Sequence, residues 1–324
     1  MSLLVTGGTG FIGSHTCVEL LNAGEDIVVM DNFYSSRPET LDGIRKITGK
    51  DLKFYEADLL DMPAIDRIFD ENDIEQVIHF AGYKCVSESV KMPLVYYSNN
   101  LRGTFNILET MKKYGCTKFV FSSSADVYSA SEQSPLREDC ALMPNNPYAS
   151  TKLVIENLCR EMYAADNKWT VVILRYFNVA GAHDSGLIGE EPVKYPRSIL
   201  SEVLAKAIGA VDAPKVDGEF SVSDYIHVAD LARGHVAAVK KARELQNGCR
   251  AYNLGTGKSV SDSELLSVFQ RVNGIDLGIS AAENPAGSVR YLDPSLAEKE
   301  LGWKALLGIE EMCRDAWNYR KNEN

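Results

Sequence analysis

Three glycines spaced by three, Gly7, Gly10 and Gly13, follow the apolar run LLVTGG (3–8) and lead into a helical pattern, SHTCVELLNAG, that closes at Gly24. That order narrows the fold sharply. One glycine permits a tight turn, one lets the backbone approach a pyrophosphate, and one allows a helix to pack closely on a strand. Backbone amides and the positive end of the helix then face the phosphates. Asp31 ends the second apolar run, DIVVMD (26–31), about 20 residues further on, where an acid bonds the ribose hydroxyls of a dinucleotide. A carboxylate there repels a 2′-phosphate, which favours NAD over NADP. Arg37 stands nearby but does not follow Asp31 directly.

Four more short runs follow: LKFYEAD (52–58), QVIHFAG (76–82), KFVFSSS (118–124) and TVVILRYFN (170–178). They are rich in Val, Ile and Phe and do not alternate strictly, the mark of strands buried on both faces. Helical patterns lie between them, so the units are βαβ with right-handed crossovers. The expected fold class is α/β, a doubly wound parallel sheet of the Rossmann type. Beyond residue 180 the texture changes: Gly, Pro and polar residues surround one helical pattern, SILSEVLAKAIG, before YIHVADLARGHVAAVKKA and AYNLGTG add a further helix and strand. A chain of 324 residues is long for one core. The expected organisation is an NAD-binding domain over 1–176 and 224–256, interleaved with a smaller substrate domain over 177–223 and 257–324. The terminal NYRKNEN is expected to fray.

The net charge is -11, which argues against nucleic acid or an anionic membrane as partner. No apolar run is long enough to span a bilayer, and the N-terminus has no basic or signal-like region. The seven cysteines are scattered and include no CxxC pair, so free thiols in a reducing cytoplasm are expected. The five histidines form no HxxxH or HExxH pair, and no metal is expected.

Tyr148 and Lys152 stand four apart at the head of the helical stretch NPYASTKLVIENLCREMYAA, and so on one helix face. An ammonium beside a phenol favours the phenolate, drawing the tyrosine from its usual pKa of ~10 toward working pH. Tyr148 can then serve as general base toward a substrate hydroxyl. Ser124 ends the run KFVFSSS, at the sheet edge where doubly wound folds place ligands, and its hydroxyl can share the moving proton.

These features sit inside longer signatures: LVTGGTGFIGSHT, VIHFAGYKCVSESVKMPLVYYSNN, FVFSSSADVY, PYASTK, LRYFNVAGAHDSGLIGEEP and DYIHVADLARGHV. Together they resemble the extended short-chain dehydrogenases/reductases, and among them the UDP-glucose (UDP-galactose) 4-epimerases. The resemblance spans nearly the whole chain except the segments around 197–223 and 280–292. It implies a bound NAD that removes a hydride from the sugar C4 while Tyr148 takes the hydroxyl proton. The 4-keto sugar then turns in the pocket and receives the hydride on its other face. It further implies NAD contacts from Gly7, Gly10, Phe11, Ile12, Gly13, Asp31, Asn32, Ser36, Asp58, Leu59, Phe80, Ala81, Gly82, Lys84, Asn99, Tyr148, Lys152 and Phe177. Substrate contacts are implied for Lys84, Ser124, Asp126, Tyr148, Asn178, Arg197, Ser198, Leu200 and Arg290. A homodimer through helices near 93–114 and 148–166 is also implied.

The departures from the family cluster in the substrate half. Its VRDYIHV reads VSDYIHV here, so Ser223 stands where an arginine meets the substrate diphosphate. Its Arg-x-Gly-Asp segment reads NPAGS (284–288), its PNNL turn reads PRSIL with Arg197 and Ser198, and the loop before Asp224 is several residues shorter. Each guanidinium–phosphate bond is charge-assisted, so Arg197 or Arg290 is a candidate replacement. Asp126 is a further departure, where related dehydratases and decarboxylases carry a glutamate; the partner acid of dehydratases is Ala125 here. Three other readings therefore stand beside UDP-sugar epimerisation. They are dehydration or decarboxylation through Asp126, epimerisation of a sugar without the usual UDP, and NAD binding without catalysis.

Overall fold

The computed structural model describes residues 1–191, 199–209, 222–245, 247–278 and 289–322. Arg197, Ser198 and the 284–288 segment lie outside them. The first six strands are β1 (Ser2–Thr6), β2 (Ile27–Asp31), β3 (Lys53–Glu56), β4 (Ile74–His79), β5 (Lys118–Ser122) and β6 (Thr170–Arg175). The rest are β7 (Asn178–Ala180), β8 (Val222–Ser223), β9 (Tyr225–His227), β10 (Gly248–Asn253), β11 (Val260–Ser261) and β12 (Val289–Arg290). Seven of them form one parallel sheet in the order β3-β2-β1-β4-β5-β6-β10. The order reverses between β1 and β4, which opens a ligand crevice at the carboxyl ends of those strands.

Burial explains the unbroken apolar runs. Leu3, Leu4 and Val5 are all inaccessible to solvent, as are Val171, Val172, Ile173 and Leu174, because helices cover both faces of the sheet. One face carries α1 (Phe11–Asn22) and α2 (Glu39–Thr48). The other carries α3 (Met62–Glu71), followed by the short α4 (Val86–Lys91), α5 (Pro93–Tyr114) and α6 (Pro147–Ala165). Helices α7 (Ile199–Ala207), α8 (Val228–Glu244), α9 (Asp262–Asn273), α10 (Ser295–Leu301) and α11 (Ile309–Asn322) complete the fold. α8 joins the α1 face, where Leu231 and Val236 pack with Leu3, Val5 and Val18. The α3 face holds Leu4, Ile65, Ile107, Ile155 and Ile173. Each such side chain buried contributes about 1.5–3 kcal/mol.

A separate core forms from α7, α9 and α11, around Leu200, Val203, Leu265, Phe269 and Met312. Two small sheets join it to the crevice: β8 pairs with β11 and β12, and β7 pairs with β9. Asp224, between β8 and β9, pins two distant segments. Its buried carboxylate accepts from Thr256 Oγ1 at 2.6 Å, from Thr256 N at 3.1 Å and from Leu292 N at 3.3 Å.

The strands end sooner than their apolar runs, because the residues beyond each carboxyl end leave the sheet for the crevice. The helix after the glycine turn starts at Phe11, capped by Gly10, and ends at Asn22 with Ala23 as its C-cap and Gly24 left-handed just past it (φ 85°). The segment YIH is a strand, with the helix starting only at Val228. The tail expected to fray is helical through Asn322, since Tyr319 is buried and its hydroxyl bonds Glu191 Oε1 at 2.6 Å.

Candidate active site

The crevice is a cavity of about 280 Å³ running from the glycine turn to the head of α6. At one end β1 delivers the chain into Gly7, whose φ is 71°. A Cβ at Gly7 would lie 2.7 Å from Ala81 N, and one at Gly13 only 2.1 Å from Gly7 O. Only hydrogen fits at either place. Gly10 caps α1 with no side-chain bond, so the first amides of the helix remain available to an anion beside the cavity. Asp31 fixes this turn: its carboxylate accepts from Thr9 N at 3.1 Å, Phe33 N at 2.9 Å and Ser36 Oγ at 3.3 Å. The next strand contributes Asp58, whose Oδ2 accepts from Asn32 Nδ2 at 2.8 Å. This cradle fits a dinucleotide pyrophosphate with its adjoining ribose.

The other end is set by α6. Asn146 caps it by accepting from Ala149 N at 2.9 Å, and Pro147 opens its first turn. Tyr148 therefore falls in the first turn, with Lys152 one turn later on the same face. Lys152 is buried, and its Nζ donates to Ser122 O at 2.7 Å and lies 5.8 Å from the centroid of the Tyr148 ring. Burial and then the charge of Lys84 push the lysine down to about 8, against the pull of Glu156. Ser124 caps a short 3₁₀ turn, Ala125–Val127, by accepting from Asp126 N at 3.1 Å. Burial raises the pKa of the Asp126 carboxyl, while Arg290 and the Ser124 hydroxyl act to lower it.

One turn beyond Lys152, Glu156 locks α6 to the sheet. Arg175 holds it with two bonds, Nε–Oε1 at 3.0 Å and Nη2–Oε2 at 2.6 Å, and Ser123 Oγ adds a third at 2.6 Å. Both partners are essentially inaccessible. Burial alone would raise the Glu156 carboxyl, but the bonds from Arg175, Ser123 and Arg160 outweigh it and hold it below the ordinary range. The network continues from Arg175 to the Tyr128 hydroxyl and on to Asn253 of β10.

The cavity wall brings together Gly7, Gly10, Phe11, Ile12, Gly13, Asp31, Asn32, Asp58, Leu59, Phe80, Ala81, Gly82, Lys84 and Asn99. Ser124, Asp126, Tyr148, Lys152, Phe177 and Asn178 line its other end. Ser36 stands behind the wall, bonded to Thr9 Oγ1 at 2.7 Å. Leu200 is packed in the core of α7, α9 and α11. Arg290 also stands behind the wall, over the Phe177 ring at 5.4 Å, and β12 places it directly opposite Ser223 of β8. Sequence reasoning did not name Ser122, whose carbonyl receives Lys152; no residue type marks a carbonyl. It also missed Tyr34 and Tyr83, which pair on the wall with ring centroids 4.6 Å apart. Glu190 and Glu191 belong to the signature LRYFNVAGAHDSGLIGEEP, whose pattern alone assigns them no role. Glu190 Oε1 lies 3.9 Å from Lys84 Nζ, and Glu191 Oε1 lies 2.8 Å from Arg37 Nε.

A glycine cradle at a strand-order switch, with a tyrosine and a buried lysine across the cavity, defines a dinucleotide-dependent enzyme of the short-chain type. A model of the NAD dependent epimerase/dehydratase family matches residues 3–255, and the chain belongs to that family. It is 51% identical to UDP-glucose 4-epimerase of Bacillus subtilis, over 99% of this chain and 97% of that one. It is 46% identical to UDP-glucose 4-epimerase of Haemophilus influenzae, over 99% and 98%. Among solved structures, UDP-glucose 4-epimerase of Bifidobacterium longum in complex with NAD+ and UDP matches with a TM-score of 0.93 and 42% identity, over 99% and 98% of the two chains.

Proposed function

We propose that this protein is an isomerase that inverts C4 of a UDP-sugar, interconverting UDP-galactose and UDP-glucose with NAD as bound cofactor. The observation that carries the reading is the pairing of Tyr148 with buried Lys152 in the cavity that also holds the glycine cradle. Full-length identity of 51% to a UDP-glucose 4-epimerase supports the substrate class.

NAD, when bound, supplies the electron acceptor for C4 and returns the electrons later. The chain supplies the rest. Tyr148 takes the proton from the C4 hydroxyl and gives it back at its phenolic oxygen. Lys152, fixed by the Ser122 carbonyl, keeps a positive charge beside that phenol. Ser124 offers its hydroxyl at the same end, and Asn178 and Lys84, which line the same cavity, bind the sugar nucleotide. The electron pair and its hydrogen return to C4 and the proton returns to the C4 oxygen, so the reaction is redox-neutral and the mass of the sugar nucleotide is unchanged.

The protein acts as a homodimer in the cytoplasm. Support for the dimer is the row of exposed apolar side chains on α4, α5 and α6: Val90, Met92, Leu94, Val95, Phe105 and Val154, with Leu94 80% exposed. Support for a reducing compartment is that all seven cysteines are free. No described helix is long and apolar enough to cross a membrane. The test is proton NMR of purified protein with UDP-galactose. Anomeric signals of UDP-glucose should grow in without net consumption of NAD. A protein that holds NAD yet yields no UDP-glucose, or a product lighter by one water, contradicts the reading.

A further inference from the structure

Two opposite charges meet at the sugar end of the cavity without closing on each other. Asp126 lines the wall beside Ser124, Tyr148, Phe177 and Asn178. Arg290 stands behind it, stacked on the Phe177 ring at 5.4 Å and donating from Nη2 to the Tyr128 carbonyl at 3.3 Å. Its Nε is buried and makes no hydrogen bond. Among the described residues no salt bridge joins Arg290 to Asp126, though the two are near enough for the arginine's charge to act on the carboxyl. A guanidinium brought into a partly apolar setting costs several kcal/mol unless its charge is used. Here the charge acts on the Asp126 carboxyl, which lines the cavity and is also bonded by the Ser124 hydroxyl.

The chain path makes this pairing specific. β12 runs parallel to β8 with Arg290 opposite Ser223. β12 thus sets a positive charge beside the serine of β8, stacked on Phe177 and near enough to act on Asp126. The backbone of Asp126 is fixed as well, because its N–H donates to Ser124 Oγ.

We propose that Arg290 is a positioning residue that makes Asp126 the acceptor for a hydroxyl of the bound hexose, and that this pair sets affinity for the sugar without taking part in the proton transfer. The inference rests on the epimerase reading of this cavity. An ionised carboxylate accepts a sugar O–H as a charge-assisted bond; a protonated one can accept only weakly and offers a competing donor. Among the described residues, the charged group that acts on Asp126 is Arg290 from β12; Tyr148 and Lys152 from α6, Lys84, Glu190 and Glu191 line the same cavity. Burial already raises the Asp126 carboxyl, and removing Arg290 takes away the larger of the two influences that oppose it, so Asp126 takes up a proton at a higher pH than in the wild type.

The experiment is steady-state kinetics on UDP-galactose at pH 6 and pH 8.5 for the wild type, Asp126→Asn, Arg290→Met and Arg290→Lys. For Arg290→Met, KM should rise about tenfold at pH 6 and recover to within about threefold of wild type at pH 8.5, with kcat little changed. Arg290→Lys should restore the flat KM profile. Asp126→Asn should raise KM about tenfold at both values and remove the pH dependence. Equal KM effects of Arg290→Met at the two pH values overturn the proposal. So does an unchanged KM in Asp126→Asn, which is close to isosteric and decides the matter even if Arg290→Met fails to fold. A wild type that converts no UDP-galactose is a different failure, that of the epimerase reading itself.

Discussion

The two ends of the cavity are built from different materials. The cofactor end is made of backbone: glycines at Gly7 and Gly13 with no room for a side chain, free amides at the start of α1, and the carboxyl ends of adjacent long strands. The sugar end is made of side chains, delivered by the head of α6, the 3₁₀ turn after β5 and the three-residue strand β7, with the two-residue strands β8 and β12 behind them. Backbone recognition leaves almost no freedom in residue type. Side-chain recognition leaves residue type freer, and at this end a serine of β8 lies directly opposite an arginine of β12. Sugar specificity can therefore drift at one end while cofactor binding at the other stays fixed.

Mutations that act on one end alone sharpen this contrast, and the largest effect is expected between the two ends. Tyr148→Phe removes the proton carrier and should lower kcat about 10³-fold, while NAD affinity changes little by equilibrium titration. If NAD affinity falls in parallel, the tyrosine belongs to the cofactor end. Gly13→Ala sets a Cβ against Gly7 O at 2.1 Å. It should weaken NAD binding by about a hundredfold with little change in the KM for sugar nucleotide measured at saturating NAD. Glu156→Gln leaves Arg175 buried without its countercharge and should lower the unfolding free energy by about 3 kcal/mol in denaturant titrations. The wild-type pair also has a pH signature. Because the Glu156 carboxyl is held below its ordinary range, its stabilisation is full above the unfolded carboxylate pKa. It is lost as pH falls through the folded value; Glu156→Gln should flatten that acid limb.

The smallest expected effect is on the pH profile. Lys152 lies at about 8, lowered by burial and by Lys84. Its ammonium is present below that pH and lost above it, so kcat on UDP-galactose should decline above about pH 8. Lys152→Arg, which stays charged, should remove the alkaline decline even if its overall rate is lower. An alkaline limb that persists unchanged in Lys152→Arg would assign it to another group.

The legibility of the molecule in its sequence follows the same division. The glycine turn, Asp31 and the Tyr148–Lys152 pair were readable because each rests on spacing within one strand–turn–helix unit or one helix face. The unbroken apolar runs foretold strands covered on both faces, yet overstated their length, since Ser123 and Ser124 look like strand residues but have left the sheet. The fate of Tyr319 was hidden because its partners, Arg37 and Glu191, lie 282 and 128 residues away. Arg290 was visible as a candidate, but neither its stacking on Phe177 nor its place opposite Ser223 follows from local pattern. Strands of two residues carry no periodicity to read. The Glu156–Arg175 lock was equally silent, being a contact between a helix and a strand 19 residues apart in the chain.

The central claim is that hydrogen leaves C4 and returns to it within one closed site, with Tyr148 handling only the hydroxyl proton. UDP-galactose carrying deuterium at C4, incubated with the enzyme in ordinary water, tests this most directly. The account predicts UDP-glucose with the deuterium still on C4, read by mass and by the missing C4 proton signal. Loss of the label to water would contradict it.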